Sequence, residues 1–160
     1  IDIPEPHDSL AANAREKSMT IFKLTGRDCF SEDSGLEVDA LNGLPGVKSA
    51  RFAGEHANAD DNIKKLMQAM QGITNRKARF RTVISLVMAG QEHQFEGTCE
   101  GTIAAHQSGN KGFGYDPVFI PDGSAKCFAD MEVSEKNQFS HRKKAVAKLI
   151  QFLQTNYGQD

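Results

Sequence analysis

Residues 31–54 read SEDSGLEVDALNGLPGVKSARFAG, and they set the terms for the rest of the chain. Two adjacent carboxylates, Glu32 and Asp33, run directly into Ser34 and Gly35. An acidic pair followed by small residues makes a poor core segment. It is a good way to present oxygen ligands at the end of a strand, so Asp33 is read as the chemical centre. Further along, Gly43, Pro45 and Gly46 mark a tight loop over residues 42–47.

Working outward, residues 28–31 form a short strand that feeds the acidic pair. Before it, Leu10, Ala14, Lys17, Ile21 and Leu24 recur at helical spacing over residues 9–25. Asp8 or Ser9 stands at the N-cap and Gly26 at the C-terminal stop. Residues 1–7 are extended, since Pro4 and Pro6 resist helix. The record begins at Ile1 with what reads as the end of a strand, and a preceding segment of the natural protein is expected. After the loop, Ile63, Leu66, Met67 and Met70 mark a second helix that starts near Asn58 or Asp60 and stops by Gly72. Residues 80–88 alternate as a strand, and residues 92–103 form its hairpin partner, bent at Gly97 and Gly101. Residues 108–114 are a glycine-rich loop and 118–121 a short extended piece. Residues 131–137 show no clean period. Ser140 caps a last helix that buries Ala145, Val146, Leu149, Ile150 and Leu153. Helices alternating with strands, one strand pair being a hairpin, predict an α/β or α+β domain with a mixed sheet.

Bulk properties narrow the function. A chain of 160 residues reads as one domain, or one with a subsidiary lobe. The net charge of −2 gives no reason to expect nucleic-acid binding. Cys29, Cys99 and Cys127 are an odd count with no Cys-x-x-Cys pair, which argues against a disulfide framework or structural zinc and for a reducing, intracellular setting. The apolar runs are too short to span a bilayer, and no signal peptide is visible.

Three features carry chemistry. Asp33 could ligate a hard cation such as Mg²⁺ and activate water, or the acidic pair could be solvated loop charge. Gly112-Phe113-Gly114-Tyr115-Asp116-Pro117 could form a flat slot, with Phe113 stacking on a base and Asp116 or backbone groups bonding its edge, or it could be a turn whose aromatics plug the core. Ser140-His141-Arg142-Lys143-Lys144 places basic residues at a helix N-terminus, where they suit an anion, or else form a solvated basic face. Lys136 and Lys17 could join that patch. A metal-type acid, an aromatic slot and a basic helix start together describe a nucleoside polyphosphate site. His7, His56, His93 and His106 lack ligand spacing and read as surface residues.

Residues 31–54, with DNIKKL (61–66), FGYDPVFIPDG (113–123) and EKNQFSHRKKA (135–145), resemble the inosine triphosphate pyrophosphatase family, in family order and across nearly the whole chain. The resemblance implies an elongated α/β body with a long mixed sheet and two lobes around a cleft. It implies hydrolysis of (deoxy)inosine or xanthosine triphosphate to the monophosphate and pyrophosphate, a Mg²⁺ requirement, a cytoplasmic setting and a homodimer. Carried over by motif, Asp33 is the general base and a Mg²⁺ ligand, and Ser34 contacts substrate. Phe113, Gly114, Tyr115 and Asp116 form the base pocket. Lys136, His141 and Arg142 bind base or phosphate, and Lys17 faces the phosphates. The family's Ser/Thr-x-Asn-x-x-Lys loop is not matched, and Ala12-Asn13-Ala14 stands where a Glu-Asn-Ala motif supplies a metal ligand. Glu16, one turn on, or Glu32 could replace it, an alternative the sequence leaves open. A second reading is therefore a catalytically impaired nucleotide-binding remnant.

Overall fold

The computed structural model describes residues 7–157 of the chain. The extended segment expected over residues 1–7 thus lies almost wholly outside the described residues.

Among the described residues, four strands, β1 (Cys29–Val38), β2 (Lys77–Met88), β3 (Gln91–Ile103) and β4 (Phe119–Pro121), form one sheet in that order. Four α-helices among the same residues accompany it: α1 (Leu10–Thr25), α2 (Ala59–Ala69), α3 (Val133–Asn137) and α4 (His141–Tyr157). The α/β class with flanking helices is therefore what the chain adopts. Among the described residues the sheet is antiparallel rather than mixed. Partner numbers descend along β1 and β2, from Asp28 with Ala89 to Ser34 with Thr82. The β2–β3 connection is a two-residue turn whose Ala89 and Gly90 both have positive φ, the geometry that matches strand twist. β3 and β4 pair with Gly101 opposite Pro121. Although α2 lies between β1 and β2 in the chain, β2 returns antiparallel, so no parallel crossover arises.

The chain divides into two compact units, each drawing on the long strands. The first comprises Ile1–Ser34, Arg81–Thr98 and His141–Asp160. In it α1 starts at Ser9, whose hydroxyl accepts from the Ala12 N–H, and ends at Gly26 in the left-handed region. The buried Asn13 side chain pins the backbone of His7 in both directions, accepting its N–H and donating to its carbonyl. α1 lies against alternate residues of the strands: Ser31 donates to the Ala14 carbonyl, and the Ser18 and Ser85 hydroxyls are 2.7 Å apart. Ile84 and Leu86 have the opposite parity to Ser85 and pack with Ala145 and Leu149 of α4. The two helices therefore cover opposite faces of these strands. His93, expected at the surface, is half-buried, with its ring 4.7 Å from that of Phe152, because α4 brings its last turns over β3.

Two glycines expected to bend β3 serve close approach instead. A Cβ on Gly97 would sit 2.0 Å from the His141 carbonyl oxygen and 2.6 Å from the Ala145 nitrogen, so the first turn of α4 rests on bare backbone. A Cβ on Gly101 would meet the Ile120 carbonyl oxygen at 2.3 Å. Lys144 and Lys148 then donate from α4 to the Thr98 and Glu96 carbonyls of β3.

The second unit, Gly35–Phe80 and Cys99–Ser140, has its own core of Leu36, Leu66, Met70, Ile103, Val118 and Phe119. Asn58 and Asp61 close a capping box at the start of α2. Phe80, Phe119 and Phe128 form an aromatic cluster, with the first two rings 4.6 Å apart. Arg79 joins Asp39 and Glu100. Cys29, Cys99 and Cys127 are free, the last two buried.

Gly97→Ala is expected to destabilise the protein by about 1–3 kcal/mol through overpacking, seen as a lower urea midpoint. An unchanged midpoint would show that α4 moves off β3 at no cost.

Candidate active site

The acidic pair does not sit in a turn at a strand end. β1 runs on to Val38, so Glu32 and Asp33 lie inside a ten-residue strand. The extended backbone continues beside β2, both charges find cationic partners there, and Gly35 lets the next segment close in. A Cβ on Gly35 would stand 2.4 Å from the Gly46 carbonyl oxygen.

Strand alternation separates the two carboxylates. Asp33 shares the parity of Ser31 and faces α1, where Lys17 Nζ is 3.6 Å from its Oδ1. The same ammonium donates to the Glu32 carbonyl at 2.9 Å, which fixes it over the strand. The Asp33 side chain is only 11% exposed. Glu32 turns to the other face, where both its oxygens accept from Arg142 Nε of α4, at 2.9 and 3.1 Å. Ser34 is exposed, and its hydroxyl is bonded to that of Thr82 at 2.7 Å. His141 is the first residue of α4 and half-buried.

The basic run at the start of α4 is partly neutralised by the protein itself. Arg142 pairs with Glu32, and Lys144 is taken by the Thr98 carbonyl. Within the first unit, then, Lys17 and Asp33 are brought together on one face of β1, and Glu32 and Arg142 on the other.

The aromatic loop belongs to the second unit. Its positive-φ glycines are needed where they stand: a Cβ on Gly112 would lie 2.1 Å from Asp116 Oδ2. Asp116 is buried, and that same oxygen accepts from the Phe113 N–H at 3.2 Å and from Lys136 Nζ at 2.5 Å. The carboxylate therefore shapes the loop from within. Lys136 comes from α3, a helix of five residues that is too short to show a period in sequence. Its Nζ lies 4.7 Å from the centroid of Phe113, whose ring is 81% exposed. Phe113 and Lys136 thus present a flat apolar surface with an adjacent cation.

Tyr115 points the other way. It is buried, and its hydroxyl donates to the Ser49 carbonyl at 2.6 Å. Burial pushes its pKa well up. Ser49 in turn accepts from the Leu36 N–H and donates to the Gly46 carbonyl. Ser49 was not foreseen as part of the site; its only sequence signal is its place in the quoted stretch.

Among the described residues no group of three or more His, Cys, Asp or Glu side chains could hold a metal. Glu16 pairs with His7 at 3.6 Å, and Glu32 is held by Arg142 on the face opposite Asp33. One carboxylate suits a Mg²⁺ that arrives with phosphate oxygens and keeps several waters. A pocket of about 470 Å³ in the second unit is lined by Met67, Met70, Arg76 and His106 and includes none of the residues expected to do chemistry.

The family model described as the Ham1 family matches residues 1–152. A dITP/XTP pyrophosphatase of Porphyromonas gingivalis is 53% identical over 153 residues, 95% of this chain and 79% of that one. Another, from Flavobacterium johnsoniae, is 48% identical over 152 residues, with the same coverage. Among solved structures, the Staphylococcus aureus Ham1 protein matches with a TM-score of 0.94 at 39% identity, covering 98% of this chain and 82% of its own. These matches support the family that the motifs suggested.

Lys136→Met should leave the Asp116 carboxylate buried with only the Phe113 N–H. The expected loss is about 1–3 kcal/mol, less than for a fully buried pair because the ammonium is 28% exposed. Denaturant titration checks it, with Tyr115→Phe expected to cost about 0.5–1.5 kcal/mol.

Proposed function

We propose, from the premise that this chain belongs to the Ham1 family, that it hydrolyses non-canonical purine nucleoside triphosphates such as ITP, dITP and XTP to the monophosphate and pyrophosphate. The observation that carries the reading is the Asp33–Lys17 pair, a nearly buried carboxylate with an ammonium 3.6 Å away. One member can take a proton from water while the other offsets phosphate charge. The chain's 53% identity with a dITP/XTP pyrophosphatase supports the substrate class. Nothing in the comparisons supports the alternative of an impaired binding remnant.

In this reading Asp33 accepts a proton from a water whose oxygen attacks the α-phosphorus, and pyrophosphate leaves with the electron pair of the broken P–O bond. Lys17 compensates the charge that builds on phosphate oxygens, while Arg142 serves to bind the substrate. Asp33 is the protein residue that would hold Mg²⁺, which when bound polarises the phosphate oxygens. Phe113 stacks on the purine. Its 6-keto oxygen accepts from a donor, either Lys136 or a backbone N–H, whereas the 6-amino group of adenine does not. A cytoplasmic homodimer completes the proposal.

With Mg²⁺, ITP and XTP should release pyrophosphate at least about tenfold faster than ATP, given one well-used hydrogen bond to the 6-keto oxygen. Equal turnover of the three would remove this base selectivity. Asp33→Asn should lower kcat by about 10²–10⁴-fold with unchanged circular dichroism; retained turnover would take Asp33 out of the base role.

A further inference from the structure

Glu32 has no part in the chemistry just described, yet its carboxylate makes one of the most specific contacts of the first unit. Both oxygens accept from a single atom, Arg142 Nε, at 2.9 and 3.1 Å. The Arg142 side chain is 64% exposed, and its Nη1 and Nη2 groups make no hydrogen bond to the described residues. An exposed arginine on the first turn of a helix ordinarily samples many rotamers, and an exposed ion pair contributes little to stability. This one differs in what it fixes. Held through its single Nε–H, the guanidinium is anchored at its inner end and leaves the two terminal amino groups as a fork. That fork is the part of arginine that matches two phosphate oxygens in bidentate fashion.

We propose that Glu32 is a positioning residue for substrate binding, which acts through Arg142 and not through Asp33. The inference rests on the reading of Arg142 as a substrate contact. The alternation of β1 gives it a sharp form. Asp33 and Glu32 are neighbours in sequence but project to opposite faces, toward Lys17 and Arg142 respectively. Loss of Glu32 should therefore weaken binding and leave the proton transfer intact. A second acid at the catalytic centre would do the reverse.

The test is steady-state kinetics with ITP and Mg²⁺ on the full chain, together with calorimetric titration of inorganic pyrophosphate. Wild type, Glu32→Gln, Glu32→Asp, Arg142→Ala and the Glu32→Gln/Arg142→Ala double variant are compared. Glu32→Gln is expected to raise KM and the pyrophosphate Kd about five- to twentyfold, part of what one charge-assisted hydrogen bond contributes because Arg142 itself remains, with kcat within twofold. Glu32→Asp should recover part of the loss. In the Arg142→Ala background the Glu32 change should add nothing. A fall in kcat at unchanged KM, or full additivity in the double variant, overturns the proposal. Wild type that turns over ITP while Glu32→Gln is indistinguishable from it also overturns it, with the functional reading intact. Wild type that neither binds pyrophosphate nor hydrolyses ITP removes both.

Discussion

The two-residue period of an extended strand governs the chemistry of this protein. β1 carries Glu32 and Asp33 side by side, and the pleat sends them to opposite faces. What reads in sequence as one acidic feature is two separate ion pairs, each with its own helix. α1 supplies Lys17 to one face and α4 supplies Arg142 to the other. The pattern extends to the core of that unit, where Ser85 meets Ser18 while Ile84 and Leu86 meet Ala145 and Leu149.

Close backbone contacts set where those helices and loops sit. Gly97 under the first turn of α4, Gly35 against Gly46 and Gly101 against Ile120 are each approached within 2.5 Å of where a Cβ would stand. A polar residue at any of these positions would add a side chain that has nowhere to go. The glycines in the aromatic loop have a different task. Gly112 gives room to the Asp116 carboxylate, which in turn holds Lys136 beside the Phe113 ring.

Much of this was legible in the chain. Ser9 and Gly26 delimit α1, Asn58 begins α2, and the positions of β2 and β3 follow from alternation bounded by Gly90, because these signals are local. The motif resemblance led to the family. Hidden from sequence were properties that depend on partners distant along the chain. The partners of the acidic pair are Lys17 and Arg142, 110 positions separating the latter from Glu32. The inward turn of Tyr115 depends on a carbonyl 66 positions away. α3 was missed because one turn of helix leaves no period to detect. Composition and the motif made Asp116 a candidate to touch a base; its burial and its pairing with Lys136, which also make it a support for Phe113, depend on contacts the sequence does not display.

The lysines of α4 have a bearing on assembly. β4 pairs with β3 only over Gly101–Ile103, so the earlier half of β3 has carbonyls that no strand of the sheet takes. Lys144 and Lys148 occupy two of them, at Thr98 and Glu96. An incoming strand would have to strip both ammonium groups from their acceptors before it could pair, and would then meet two positive charges in its path. This margin is thereby insulated against sheet extension by a second chain.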